Sequence, residues 1–437
     1  MSARFRITPS LWDKIHHFAS FAQTGEELPV RLAHRVKELD ELPHDLSKMT
    51  SIIKVKNWYA QSFEELITFP PVPTLRPEIR RALMASSDEG LLPSSVPNPS
   101  LDHRSMMVDG HEHVDLRGDG TPYSYVENIE SNSQGAGFNK LKMRVPVDKR
   151  YYAAPLASIE WPPEVQDYNH RFTRALEAIK HRHDPTVTTV AQGVLEWKRA
   201  QNAKHIGLDI QQWLDRFYMS RIGIRFLIGQ HVALNTQQSH PDYVGIICTR
   251  ANVHDIMQEA IENARFICEE HYALLSSPPV QLICPKNLTF PYVPGHLSHI
   301  VFELLKNSLR AVVERHGINK DTEERGYPPI KVIVVEGKED ITIKISDEGG
   351  GIPRSAMGLI WTYMYTTMNL GPGQGLEEDF HASDFKAPMA GFGYGLPLSR
   401  LYARYFGGDL RLISMDGFGT DVYIHLNRLS SSREPLP

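Results

Sequence analysis

Asp347-Glu348-Gly349-Gly350-Gly351-Ile352-Pro353 follows directly on an alternating segment, Ile341–Ser346. Glycines there let the backbone pass close to a ligand, and an aspartate at a strand end can accept a hydrogen bond from an exocyclic amino group such as that of adenine. Further on, Gly391-Phe392-Gly393-Tyr394-Gly395-Leu396 opens a helix. Exposed N–H groups and the dipole at a helix start favour anions, so this segment suits phosphates. It is preceded by a polar stretch, about 368 to 390, that holds Gly371-Pro372-Gly373-Gln374-Gly375. Gly417-Phe418-Gly419-Thr420 sits in the last expected hairpin, where Thr420 can hold another polar group. Upstream, Gly295 to Gly317 reads GHLSHIVFELLKNSLRAVVERHG and places His299, Glu303 and Asn307 on one stripe at i, i+4 and i+8. Taken singly, these segments also read as tight turns and a solvated helix face. Neither a GxxxxGK(S/T) loop nor a strand leading a GxGxxG turn into a βαβ unit occurs.

Elements must hold these segments in place, and the chain separates into three regions. Residues 1–86 and 158–274 show helical periodicity, through Leu32, Val36, Leu39 and Leu42, then Trp58, Phe63 and Leu66, then Val190, Val194 and Trp197, then Trp213, Phe217 and Ile224. This predicts an N-terminal helical bundle of the four-helix type. Residues 87–157 hold Ser, Pro and Gly without sustained period and read as a polar loop or disordered insertion. His103, His111 and His113 lie there, but HEH lacks metal-ligand spacing and the solvated loop is the expected reading. From 275 to 437 the pattern is mixed: strands at Lys331–Val335, Ile341–Ser346, Leu410–Ser414 and Val422–Leu426, with helices at about 296–315 and 396–406.

Composition narrows the classes further. The chain has 437 residues, 41% hydrophobic and 23% charged, enough for two or three domains with a sizeable core. A net charge of −5 gives no global basic field for nucleic acid, and charge interrupts every long apolar run, so no membrane span is expected. Three scattered cysteines, Cys248, Cys268 and Cys284, exclude a disulfide scaffold and point to a reducing compartment. Leu11, Trp12, Ile15, Phe18 and Ala22 form a helical stripe in a basic N-terminus, which fits an organelle-targeting helix or the first helix of the fold.

E-x-x-x-N on a helix, then D-x-G-x-G, a glycine-rich segment with G-x-G-x-G, and G-x-G-T resemble, in that order, the GHKL ATPase superfamily of gyrase, the large heat-shock chaperone, histidine kinases and MutL. The longer runs FELLKNSLRA (302–311), GFGYGLPLSRLYARYFGGDL (391–410), ELPVRLAHR (27–35), TTVAQGVLEWK (188–198) and RFYMSRIGIRFLIGQH (216–231) resemble the mitochondrial 2-oxoacid dehydrogenase kinases over both halves of the chain. AQGV, RFYMSR and GFGYGLPLSR are closer to its pyruvate dehydrogenase kinases, while SFEELITFP and RIGIR lean towards the branched-chain kinase. The resemblance implies an α + α/β protein, a helical bundle followed by a GHKL-type α/β sandwich with a mixed sheet. It also implies a protein-serine kinase of the mitochondrial matrix that uses ATP and Mg²⁺ to inactivate the pyruvate dehydrogenase complex. The expected partners are the dehydrogenase component as substrate, the lipoyl domain of the acyltransferase core as dock, and a second copy in a homodimer.

The resemblance also distributes roles. Asn307 would coordinate Mg²⁺, and Glu303 would be the general base with His299 as its hydrogen-bonding partner. Asp347 would bind the adenine amino group. Thr366 and Thr367 would contact nucleotide, and Gly391, Phe392, Gly393, Tyr394, Gly395 and Leu396 would wrap the phosphates. Arg310, Gly349, Gly351 and Thr420 would complete the site. An allosteric pocket for a small carboxylate would involve Leu32, Tyr59, Ser62, Lys180, His183 and Arg221, with Lys180 standing where the family's pyruvate kinases usually carry Arg. Arginine grips a carboxylate bidentately and lysine offers only a point charge, so inhibition by pyruvate analogues is expected to be weak. His183 and Arg221 also fit a purely structural polar network. The family carries a C-terminal tail in several animal members, whereas this chain stops at Pro437, so tail-dependent activation is not expected. Rival readings are the branched-chain kinase, a sensor histidine kinase and an ATP-gated clamp.

Overall fold

The computed structural model describes residues 8–11, 13–14, 27–74, 77, 162–203, 206–237, 240–317, 326–337, 340–365 and 393–428. The insertion expected at 87–157, with His103, His111 and His113, lies outside them, as does most of the N-terminal stripe.

Five helices come first: α1 (Glu27–Asp40), α2 (Thr50–Ile67), α3 (Pro163–Arg182), α4 (Thr186–Ala200) and α5 (Leu208–Thr236). By its contacts the chain divides into one unit of 1–69, 141–157 and 172–437 and another of 70–140 and 158–171. Of the second unit, residues 70–74, 77 and 162–171 are described; α3 begins there, and Arg171 pairs with Asp167 at 2.9 Å. In the first unit the apolar stripes expected from periodicity are buried at Leu32, Val36 and Leu39 of α1 and at Val190, Val194 and Trp197 of α4, whereas on α2 Phe63 is buried, Trp58 and Leu66 are half-buried, and Ile52, Val55 and Tyr59 complete the core face. Gly193 lets α4 approach α2, since a Cβ there would stand 2.7 Å from Ile52 Cγ1. No side chain of its own N-cap residue closes the start of α2; Glu196 of α4 does so, accepting from Ser51 N at 3.2 Å and from Ser51 Oγ at 2.6 Å. Replacing Glu196 by Ala therefore lowers the stability of the helical region by about 1 kcal/mol, as loss of a cap does. Denaturant titration followed by circular dichroism reads this, and an unchanged midpoint would exclude the capping role.

The remaining elements are β1 (Tyr243–Val244), β2 (Ile247–Asn252), α6 (Val253–Tyr272), β3 (Val280–Ile283), β4 (Thr289–Tyr292), α7 (Pro294–His316), β5 (Ile330–Glu336), β6 (Asp340–Asp347), α8 (Gly395–Tyr405), β7 (Asp409–Met415) and β8 (Gly419–Asn427). A five-stranded mixed sheet has the order β3-β5-β6-β8-β7, with only β3 and β5 parallel. β1, β2 and β4 form a small antiparallel sheet. α7, α6 and α8 back the large sheet, which makes an α/β sandwich following a helical bundle. Periodicity groups residues up to 274 with the bundle, but α6 packs along α7 and β2 pairs with β4. Residues 243–272 thus build the sheet-bearing layer. β1 to β4 span only two to six residues each, too short for a period-2 signal.

Two local features set up the site. In β6, Ile341, Ile343 and Ile345 are buried and Thr342, Lys344 and Ser346 face outward, so strand parity turns Asp347 inward at the end of an apolar row. Its register partner on β8 is Thr420, which precedes the inward Val422, Ile424 and Leu426. α8 ends in a Schellman motif, with Gly407 N donating to Arg404 O at 2.9 Å and Gly408 N to Ala403 O at 3.0 Å. Among the described residues no helix is long and apolar enough to cross a membrane, and Cys248, Cys268 and Cys284 are free.

Candidate functional site

α7 is two-faced. Leu297, Ile300, Val301, Leu304, Leu305, Leu309 and Val312 are buried in the core. Glu303, Asn307, Arg310 and Glu314, at i, i+4, i+7 and i+11, face a cleft of about 500 Å³. Strands β6, β7 and β8 supply Asp347, Leu412, Thr420 and Val422, and the loop after β6 supplies Gly349, Gly351, Ile352 and Pro353. Gly393, Gly395, Leu396 and Pro397, at the start of α8, close it. The structure thus brings together Glu303, Asn307, Arg310, Asp347, Gly349, Gly351, Gly393, Gly395, Leu396 and Thr420 of the residues expected from sequence. Thr366, Thr367, Gly391 and Phe392 lie outside the described residues.

Asp347 stands 5% exposed at the floor. Its Oδ2 accepts from Ser308 Oγ at 2.8 Å and its Oδ1 from Gly349 N at 3.0 Å. Burial pushes its pKa up, opposed by the Gly349 and Ser308 hydrogen bonds and by the Thr420 backbone. Gly349 is required by close approach, since a Cβ would stand 2.5 Å from that of Ala311 on α7.

The opposite end of the cleft is where α8 meets α7. A Cβ on Gly395 would stand 2.8 Å from Glu303 Oε2 and 4.0 Å from Asn307 Nδ2, so the start of α8 lies against both side chains. Glu303 pairs with Lys306 Nζ at 2.8 Å, and Lys306, 3% exposed, lies over the Phe302 ring at 5.1 Å. His299 is not among the cleft-lining residues and packs edge-on against Tyr402 at 4.8 Å. The Tyr394 side chain is likewise absent from the lining. It packs against Tyr363 at 5.1 Å and Tyr218 of α5 at 5.8 Å. α5 also holds the segment before the glycine-rich stretch: Tyr363 N donates to Gln211 Oε1 at 2.8 Å and Tyr363 Oη to Asp215 Oδ1 at 2.7 Å.

The chemistry of the set fits an adenine nucleotide and a hard cation. A buried acceptor lies at one end, a carboxylate and an amide lie beside a helix N-terminus at the other, and the lining bears Lys306, Arg310 and Arg315. The volume falls within the range of small-molecule sites. Lys306, Ser308, Arg315, Tyr365 and Leu412 also line the cleft and were not singled out by sequence. For Lys306 and Ser308, adjacency to Asn307 on the same turn was the available signal.

In the bundle, Tyr59, Ser62 and His183 meet directly. The Tyr59 and His183 rings stack at 4.3 Å. Ser62 Oγ donates to Trp58 O at 2.8 Å and accepts from Arg182 Nη1 at 2.8 Å, and it stands 3.0 Å from His183 Nε2. Burial pushes His183 down to about 3, so the ring is neutral. Leu32 and Arg221 are buried nearby in the same helical layer, Arg221 donating to Asp184 O at 3.5 Å, and Lys180 is half-buried one turn before His183.

Residues 5–248 match the family model described as mitochondrial branched-chain alpha-ketoacid dehydrogenase kinase, and residues 292–430 match the model of histidine kinase-, DNA gyrase B- and HSP90-like ATPases. A mitochondrial pyruvate dehydrogenase (acetyl-transferring) kinase of Schizosaccharomyces pombe is 44% identical over 418 residues, covering 94% of this chain and 88% of its own. The corresponding kinase of Arabidopsis thaliana is 38% identical, covering 94% and 85%. Isozyme 3 of Homo sapiens is 36% identical, covering 96% and 80%.

Proposed function

This chain belongs to the family of mitochondrial 2-oxoacid dehydrogenase kinases, and from that premise we propose that it transfers the γ-phosphoryl group of ATP to a serine of the pyruvate dehydrogenase component, inactivating that complex. The observation that carries the reading is one cleft with the buried acceptor Asp347 at one end and the start of α8 against Glu303 and Asn307 at the other.

Each residue has a task in this reading. Asp347 accepts the adenine amino hydrogen. The backbone N–H groups around Gly393 to Leu396 orient the phosphates at the start of α8. Asn307 would hold Mg²⁺, which when bound neutralises charge on the phosphate oxygens. Arg310 adds positive charge to the same wall. Glu303, held by Lys306, takes the serine hydroxyl proton as the oxygen attacks, with His299 a turn away as its positioning residue. Phosphoryl transfer needs positioning and charge neutralisation more than covalent chemistry, and this set supplies both. The same reading includes the mitochondrial matrix as location, the lipoyl domain of the acyltransferase core as dock, and a homodimer.

A hydroxyl acceptor benefits from a base, whereas a neutral imidazole attacks through its own lone pair. Radiolabelled ATP incubated with purified pyruvate and branched-chain complexes side by side is expected to give acid-stable label on a serine of the pyruvate dehydrogenase component. Dehydrogenase activity is expected to fall in step with incorporation. Acid-labile label confined to the kinase chain would overturn the serine-kinase reading, and faster transfer to the branched-chain complex would change the substrate.

The Tyr59–Ser62–His183 cluster, with Leu32, Lys180 and Arg221, is read as a second site for a small carboxylate. Dichloroacetate is expected to inhibit weakly, and Lys180→Arg to strengthen inhibition about tenfold by adding a bidentate charge-assisted pair. Equal inhibition of the unsubstituted chain and Arg221→Ala would leave the cluster a structural network only.

A further inference from the structure

Ser308 follows Asn307 on α7 and is 4% exposed. Its Oγ donates to Asp347 Oδ2 at 2.8 Å while Gly349 N donates to Oδ1 at 3.0 Å. Both carboxylate oxygens are thereby used as acceptors at a floor position that is otherwise costly for a charge. The Gly349 N–H can only donate, so Oδ1 must accept, and the Ser308 hydroxyl directed at Oδ2 supplies a second donor to the ionised form. The two donors favour the ionised, acceptor-only form against desolvation. The charged group acting on Asp347 from the sheet is Asp421, which is itself paired with Lys344 at 2.8 Å. From α7, the ionisable residues lining the same cleft are Glu303, Lys306, Arg310, Glu314 and Arg315.

We propose that Ser308 positions the Asp347 carboxylate and keeps it an acceptor, so that the cleft selects a purine bearing an exocyclic amino group and rejects one bearing a carbonyl at the same place. This rests on the nucleotide reading above and deepens it from a binding residue to the source of base selectivity. A carboxylate facing a carbonyl leaves two acceptors opposed and desolvated, which discriminates more strongly than a missing contact does. Burial already outweighs the two donors, and with Ser308 removed it meets less opposition, so Asp347 takes up a proton at still higher pH and the protonated carboxyl can donate to a carbonyl.

The test is calorimetric binding of ATP and of inosine triphosphate, which has a carbonyl in place of the amino group, to the full chain from pH 5.5 to 8. For the unsubstituted chain, ATP is expected to bind at least about tenfold tighter than inosine triphosphate throughout, the loss set by two unpaired acceptors. For Ser308→Ala, ATP affinity is expected to fall about tenfold at the acid end and to recover as pH rises, with the ATP preference narrowed most at the acid end. The added pH dependence should vanish on an Asp347→Asn background. If the alanine variant fails to fold, Ser308→Cys repeats the test with a side chain of similar size and a much weaker donor. A folded variant with the pH profile and the ATP preference of the unsubstituted chain would overturn the role of Ser308. If the unsubstituted chain binds neither nucleotide, the nucleotide reading itself falls.

Discussion

Glu303→Gln is expected to lower phosphoryl transfer by about 10²–10⁴-fold, the contribution typical of a positioned general base, while ATP affinity changes little. The substitution keeps the shape and removes the proton acceptor. Glu303 lies against the start of α8, its Oε2 standing 2.8 Å from where a Cβ on Gly395 would be. It pairs with Lys306 at 2.8 Å, so glutamine also leaves a buried ammonium without its counter-charge. Unchanged ATP affinity and circular dichroism would report that this ammonium has not displaced the helix or the cleft. Single-turnover transfer to the pyruvate dehydrogenase component separates chemistry from binding. A rate within a few-fold of the unsubstituted chain would exclude Glu303 as the base.

Gly351→Ala is expected to cost the fold about 3–5 kcal/mol, together with nucleotide binding. Gly351 has φ +73°, where an L side chain costs about 1–2 kcal/mol. Its Cβ would also overlap the Met415 carbonyl oxygen and lie 3.1 Å from Gly419 O. Both neighbours are backbone of the β7–β8 hairpin and cannot rotate away. That hairpin is tied to the loop by Gly350 N to Phe418 O at 3.0 Å, Gly417 N to Gly350 O at 2.8 Å and Ile352 N to Ser414 Oγ at 2.7 Å. Gly417→Ala is the control, because φ is +84° but nothing lies within 4 Å of the added Cβ. It should lose only the conformational part, about 1–2 kcal/mol. Chemical denaturation of both variants decides, and equal losses would exclude the packing argument.

Much of the site was legible because its parts are local. Strand parity along Ile341, Ile343 and Ile345 sends Asp347 inward, and helical spacing puts Glu303 and Asn307 on one stripe; both follow from backbone periods of 2 and 3.6. The sequence suggests approach to a ligand at Gly349 and Gly351 and to phosphates at Gly395, but the atoms crowding these three glycines belong to α7 and the β7–β8 hairpin, which no local signal announces. The buried stripes of α1 and α4 were legible from helical periodicity, whereas on α2 the expected Trp58 and Leu66 are only half-buried beside Phe63.

What sequence by itself determined was therefore which side chains share a face and where the chain must turn, along with the family that such a run of motifs resembles. Tertiary structure alone decided what those faces meet. Tyr394 sits among glycines expected to wrap phosphates, yet its ring turns to Tyr218 and Tyr363, because α5 offers buried aromatic surface there. α6 has the amphipathic pattern of a bundle helix, but it packs along α7, and periodicity carries no address for its partner. Ser308 reads as an ordinary polar residue in a helix. Its value as a donor to Asp347 exists only because a strand 39 residues later ends 2.8 Å away. Hydrogen bonds and packing between segments distant in sequence depend on the closed chain, and no local period encodes them.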